Sequence, residues 1–315
     1  MNVSVMIPTF RRPEGLRVAL QSVLAQSLRP DEIIIVDNSP EASARCIAAN
    51  ASAVARCPVV YVHEPRPGVA NARNAGFAAA KGRYIAFLDD DEVACVDWLS
   101  ALMETAQTLD AQLVFGPLRA EVDQADSLRG QLATRLYSRP GPASDTMLDE
   151  PYGTGNSLLD RDSFELPDQP FDTALNQTGG EDDAFFDLLA QQGVRYGWSA
   201  RARAVEVVGD ARNDWAHLLS RSFAFGQGAT QNCARGETTN HAGIAFWMAV
   251  GLAQMLIFAP LAVLALPLRR ALAVKALDKA VQGGGKLFWF EGMEPKLYGE
   301  SSEAALPDPD SVAAG

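Results

Sequence analysis

The sequence predicts an α/β protein whose mostly parallel sheet is covered by helices on both faces, followed by an apolar helical segment near the C-terminus. Three observations carry this expectation. Short runs of strand-forming apolar residues recur along the first half of the chain, helical patterns separate them at the spacing of βαβ units, and a polar residue closes each of several runs. Right-handed crossovers then place helices on both faces of the sheet.

Residues 3–7 read as the first strand, stopped by Pro8 and Thr9, and Leu16, Ala19, Leu20, Val23 and Leu24 mark a helix after it. Residues 32–36 form a second strand ending on Asp37, 41–55 a helix, 59–63 a third strand and 69–80 an Ala-rich helix. Residues 84–88 are a fourth strand, continuously apolar as a strand buried on both faces must be. A helix over 99–109 and a strand over 112–116 follow. Residues 119–150, with Pro140, Gly141 and Pro142, read as a mobile acceptor-facing segment or as an ordinary long insertion.

The fourth strand runs directly into Asp89, Asp90, Asp91 and Glu92. Four carboxylates at the mouth of a buried strand repel one another unless a cation offsets them. Asp89 and Asp91, two apart in a turn, can reach one hard, oxygen-preferring ion such as Mg²⁺ or Mn²⁺; the other reading is a solvated acidic turn. Thr9, Asp37 and Asp89 are expected at the carboxyl ends of neighbouring strands, where open α/β sheets bind their ligands. The first turn, IPTFRRPEG, has no GxGxxG, so a dinucleotide site of that kind is not expected. A second acidic group, Glu181, Asp182 and Asp183, opens a helix after Gly179 and Gly180. Acidic residues there compensate the helix dipole, and beside a metal site such a carboxylate can also accept a proton from an attacking hydroxyl.

Composition narrows the function. The 315 residues suffice for one large α/β domain with an appendage, and a net charge of −12 argues against nucleic-acid binding. Four dispersed cysteines without a CxxC spacing fit a reduced chain, and the opening MNVSVMIPTF runs straight into a strand, so the catalytic part is expected in the cytoplasm.

Six pieces, VMIPTFRRP, EIIIVDNS, EPRPGVANARNAG, YIAFLDDDE, GTGNSLL and GGEDDAFF, resemble in order those of the inverting family-2 glycosyltransferases of Rossmann-like GT-A fold, and more narrowly bacterial exopolysaccharide enzymes. The resemblance implies transfer of a sugar from a nucleoside diphosphate sugar, a UDP-sugar being the expected donor, to a hydroxyl of a lipid-linked or saccharide acceptor. It implies that Pro8, Thr9, Asp37, Arg73 and Asp89 bind the nucleotide, and that Asp89 and Asp91 hold the metal with Asp91 the more direct ligand. It further places Asp90, Asn156 and Glu181 near the donor sugar or acceptor and makes Asp182 the general base, with Glu181 beside it. A metal-binding His that many GT-A enzymes carry on a later strand is absent; the corresponding residues 204–208 offer Glu206, so Glu206 or water completes the coordination, and His217 reads as a packing histidine. The QxxRW motif of processive synthases is missing, so transfer of a single sugar is expected. The competing readings are a sugar nucleotidyltransferase and a non-catalytic sugar-nucleotide-binding module.

Residues 243–266 are uncharged and long enough for a bilayer, which needs roughly 20 residues. In residues 269–286 five basic side chains face Asp278 alone, a net +4 that favours the cytoplasmic face. Because the domain before it is also expected there, a helix broken at Pro260 or a helix lying in the membrane plane fits, with residues 243–290 as the membrane contact; a buried helix or a dimer interface is the alternative. The expected domains are a catalytic domain over 1–228, a helical membrane-associating region over 229–300 and a disordered tail over 301–315.

Overall fold

The computed structural model describes residues 2–176, 179–235, 238–290 and 292–295; the tail expected over 301–315 lies outside them. The chain forms two compact units, one of Met1–Arg119 with Ser138–Val207, the other of Ala120–Tyr137 with the described residues from Val208 onward. The first unit's second stretch ends at Val207. A cut at 228 would pass through the middle of one continuous helix, Trp215–Arg235.

In chain order the elements are β1 (Val3–Thr9), α1 (Pro13–Leu24), β2 (Glu32–Asp37), α2 (Arg45–Val54), β3 (Val59–His63), α3 (Val69–Ala79), β4 (Tyr84–Phe87), β5 (Glu92–Ala94), α4 (Trp98–Leu109) and β6 (Leu113–Phe115). There follow β7 (Leu118–Val122), α5 (Leu128–Tyr137), β8 (Thr146–Leu148), β9 (Ser157–Asp160), α6 (Glu181–Ala190), β10 (Tyr196–Trp198), β11 (Ala204–Val208), α7 (Trp215–Arg235), α8 (His241–Ala265) and α9 (Arg270–Leu287). Among the described residues the main sheet has eight strands in the order β3-β2-β1-β4-β9-β6-β10-β8. β3, β2, β1 and β4 are mutually parallel, as expected. β9 lies antiparallel between β4 and β6, and β8 antiparallel to β10, so the sheet is mixed.

Successive strand residues point to opposite faces, and both faces are covered. Val3, Val5, Ile7, Ile33 and Ile35 pack under α1, α2 and α4, while Met6, Ile34, Val36, Phe87 and Phe115 pack under α3 and α6. This two-sided burial is why the strands read as unbroken apolar runs. Gly76 lets α3 settle onto the sheet: a Cβ there would stand 2.7 Å from the Met6 sulfur.

Residues 119–150 are not a long loop but contain β7, α5 and β8. Helix α5, LRGQLATRLY, carries Arg, Gly, Gln and Thr between its apolar positions, so its sequence periodicity is weak, although Leu132 and Ala133 are fully buried. It belongs to the second unit with α7, α8 and α9. There α9 is the inner helix, burying Ala273, Val274, Ala276, Asp278, Ala280 and Gly283 to Lys286, whereas α8 buries only Gly251 and Ala265. A Cβ on Gly283 would lie 2.6 Å from the Gly251 carbonyl, and one on Gly285 2.1 Å from that of Phe223, so the triple glycine lets α9 lie in backbone contact with both α8 and α7. Asp278, buried in this unit, accepts from Ser222 Oγ at 2.6 Å and Arg135 Nε at 2.7 Å. Helix α8 runs unbroken through Pro260. The expected break is absent, although a proline inside a helix removes one backbone donor and crowds the carbonyl four residues earlier. His217 packs in this unit, its Nε2 2.9 Å from the Tyr137 hydroxyl.

Candidate active site

The carboxyl ends of β1, β2 and β4 lie side by side, with Thr9 and Asp37 in register and β4 running out into the acidic turn. Within that turn the three aspartates face different ways. Asp90 is buried, takes a hydrogen bond from Thr9 Oγ1 at 2.8 Å and pairs with Arg12 Nη1 at 3.2 Å. Asp91 meets the same Arg12 Nη1 at 2.7 Å. Asp89 stays 37% exposed and lies 3.8 Å from Arg73 Nη2. Glu92 is buried; its Oε2 accepts from the Asp89 backbone N–H at 3.2 Å, and β11 pairs so that Glu206 stands opposite it.

Arg73, on α3, also donates to Glu181 at the start of α6, in an ion pair buried on both sides. One guanidinium thus links the two acidic groups, which are remote in sequence. Asp182 lies close enough for its charge, like that of Asp91, to act on Asp89. The Asp182 side chain reaches the GTGN loop as well, its Oδ2 3.4 Å from the place a Cβ on Gly153 would take. Gly155 of that loop closes over the acidic turn: a Cβ there would fall 2.5 Å from Glu92 Oε1 and 2.8 Å from Asp89 Oδ2.

The electrostatics follow from this crowding. Desolvation, with the charges of Asp89, Glu206 and Asp91 added, raises the Glu92 carboxyl well above its usual range. Desolvation likewise raises Asp89 against the opposing pull of Arg73, and lifts Asp90 to about 6 despite Arg12. Burial also raises Glu181, with Arg73 opposing. The carboxylates outnumber the arginines set among them, which leaves excess negative charge at the cleft.

Several residues expected to touch the nucleotide or sugar also make contacts that hold the site together. Pro8 lies within β1 opposite Val36. Asp37 is fully buried and receives Ser39 N, Ser39 Oγ, Ala44 N and Tyr61 OH at 2.6–3.1 Å, four donors that occupy both its oxygens. Burial, then this contact, pushes the Tyr61 hydroxyl up to about 12. Thr9 is spent on Asp90. Asn156 is fully buried, its Oδ1 accepting from Trp98 Nε1 at 2.7 Å and its Nδ2 donating to the carbonyls of Pro117 and Ala202 at 2.9 and 3.0 Å. It also holds φ at 50°, a left-handed geometry asparagine tolerates better than most residues. Asn156→Ala should therefore cost about 2–4 kcal/mol, because several buried polar groups lose their partner together; chemical unfolding measures it, and a loss under about 0.5 kcal/mol would contradict the structural role.

Arg139 escaped the sequence reading. Its guanidinium donates to the carbonyls of Gly116, Gly153, Gly155 and Asn156 at 2.6–3.3 Å and stacks over Tyr152 and Phe115. It shapes the GTGN loop and brings positive charge towards Glu92 and Glu206, although its own burial lowers its pKa. A single Arg before a proline carries no motif. Arg12 lies within IPTFRRP, and Thr154, buried with an unpartnered hydroxyl, within GTGN.

Among the described residues no three His, Cys, Asp or Glu side chains are already grouped to hold a metal ion. The donor chemistry nevertheless fits a hard cation: Asp89 and Asp91 flank one turn, and Glu92, with Glu206 opposite it on the paired strand, stands behind them, all offering oxygen ligands.

The family model described as Glycosyl transferase family 2 matches residues 4–166. The succinoglycan biosynthesis protein ExoM of Rhizobium meliloti (strain 1021) is 34% identical over 237 residues, covering 72% of this chain and 74% of its own. EpsJ of Bacillus subtilis (strain 168), an uncharacterized glycosyltransferase, is 30% identical over 141 residues, 44% of this chain and 40% of its own. The crystal structure of S. aureus TarS residues 1–349 in complex with UDP matches with a TM-score of 0.50 at 14% identity, covering 91% of this chain and 90% of that one, a likeness of fold. With the match extending from β1 to just past β9, through both the acidic turn and the GTGN loop, the chain belongs to glycosyl transferase family 2 and is a glycosyltransferase of GT-A fold.

Proposed function

We propose that this enzyme moves one sugar from a nucleoside diphosphate sugar to a hydroxyl of a lipid-linked or saccharide acceptor during exopolysaccharide assembly, at the cytoplasmic face of the inner membrane. The observation that carries the reading is the meeting of two distant acidic groups through Arg73 at the carboxyl edge of the sheet. Asp182 accepts the proton of the acceptor hydroxyl as its oxygen bonds to the anomeric carbon. The bond from that carbon to the diphosphate oxygen breaks on the opposite face, so the configuration inverts in one displacement. Arg12 and Arg73, set among these aspartates, would offer positive charge to the departing diphosphate. Asp89 and Asp91, with Glu206 or water, would hold Mg²⁺ or Mn²⁺, which supplies Lewis-acid neutralisation of the leaving group.

Membership of the family favours this over a sugar nucleotidyltransferase or a non-catalytic module. The name of ExoM supports a polysaccharide product, and the UDP bound to TarS supports a UDP-sugar donor. The membrane part rests on α8, the one helix among the described residues long and apolar enough to cross a bilayer. With α9 buried behind it, an in-plane α8 agrees with the layering better than a spanning one.

A donor screen across nucleotide sugars, run with EDTA and with Mn²⁺, tests the reaction. Chelation should abolish transfer and Mn²⁺ restore it, and Asp91→Asn should lower the rate about 100-fold at saturating Mn²⁺, since a metal at a leaving group contributes several kcal/mol. Full activity in EDTA would remove the metal from the proposal. Detergent-free fractionation tests the membrane part, which a wholly soluble protein would end.

A further inference from the structure

Within the second unit, where α8 ends and α9 begins, the structure holds an open cavity of ≈ 590 Å³ remote in sequence from the acidic turn. Its walls combine two chemistries. Arg129, Arg270 and Ser127 offer donors; Leu128, Leu266 and Trp215 are apolar. Among the described residues neither Arg129 nor Arg270 is paired with a carboxylate. Unpaired arginines facing one hollow are unexpected in a protein of net charge −12, where acids are plentiful.

The position explains the mixture. Leu266 caps α8 and Arg270 opens α9, so the cavity lies at the level where the uncharged helix gives way to basic sequence. Along α8, Phe246, Leu252, Leu256, Ile257, Val263 and Leu264 are 50–70% exposed, and Leu268 beyond it is 84% exposed. Trp215, 38% exposed, suits the boundary between hydrocarbon and water. A ligand that fits such walls carries a phosphate for the guanidiniums and an acyl chain continuing onto the apolar face.

We infer that this cavity binds the phosphate headgroup of an anionic bilayer lipid, seating the enzyme on the membrane by a specific contact in addition to α8. The inference rests on the membrane reading above and extends it. The two arginines offset, at the point of contact, the repulsion between an acidic protein and an anionic surface.

Flotation with phosphatidylcholine vesicles, with and without phosphatidylglycerol, tests it on the full chain. Wild type should bind neutral vesicles through α8 and anionic ones on the order of 20-fold more tightly, about the worth of two arginines at a charged surface. Arg129→Gln/Arg270→Gln should keep neutral binding and lose the anionic gain, whereas Arg29→Gln/Arg56→Gln, with the same net charge, should keep both. The inference is overturned if the first pair retains the gain, if the second pair loses it equally, or if millimolar inorganic phosphate at constant ionic strength abolishes it, which would mark a site for the free anion. A wild type that binds no vesicle at all sinks the membrane reading itself, a different failure from loss of anion preference alone.

Discussion

Asp182→Asn is expected to lower sugar transfer about 1,000-fold while leaving donor affinity within a few-fold, since a positioned general base contributes 10²- to 10⁴-fold. The substitution keeps size and shape at the start of α6, where the side chain accepts only the neighbouring Asp183 N–H at 3.1 Å among its described protein contacts, so the fold should not suffer. Initial rates against acceptor concentration, together with donor binding by calorimetry, separate the two effects. Asp183→Asn, one residue further on an exposed position, is the control and should retain most activity. If Asp182→Asn turns over normally, the base lies elsewhere; if both variants fail alike, the helix start matters as a field and not as a proton acceptor.

Arg73→Met should be the most destabilising single change at the site, costing about 3–5 kcal/mol, because it strands Glu181 as a buried carboxylate without its cation. The deficit depends on pH with a definite sign. Burial already raises the Glu181 carboxyl, and Arg73 is what opposes it. Without Arg73 its folded pKa moves further above the unfolded value, so the folded variant prefers the protonated acid. The variant is therefore penalised little below the unfolded pKa, and the penalty grows as pH rises towards the folded one. Urea unfolding at pH 4.5 and 8 should show a clearly larger gap from wild type at the higher pH, and Arg73→Met/Glu181→Met should recover much of the loss. An equal gap at both pH values would mean that Arg73 acts by packing against Phe171 and not by charge.

Much of the first half of the fold was legible from sequence. β3 matches residue for residue, and β1, β2 and β4 agree within two, because strands covered on both faces leave unbroken apolar runs. The reversal of β9 was not legible, because direction is a property of pairing, not of composition. α5 was hidden by its polar content and β8 by its length. The site divides in the same way. The two acidic groups announced themselves as knots of charge, and the structure brings them to one cleft. The inward turn of Asp37, Thr9 and Asn156 could not be read, since position along a strand does not reveal which partners a side chain has already taken. Arg139 works through four backbone carbonyls, partners that leave no trace in a sequence.

The opposed direction of β9 has a consequence for how the rim can vary. Since that strand travels against β4 and β6, it is its leading end that arrives beside the outlets of its neighbours, and the glycines just ahead of it become part of the cleft. Chain added upstream of Gly153 costs little, as lengthening a flexible connection twofold adds only about 0.6 kcal/mol. One residue inserted between Ser157 and Asp160 would instead turn over part of a strand clamped from both sides, exchanging its inward and outward side chains. Room to reshape the rim of the cleft therefore exists on the approach to the strand, and none inside it.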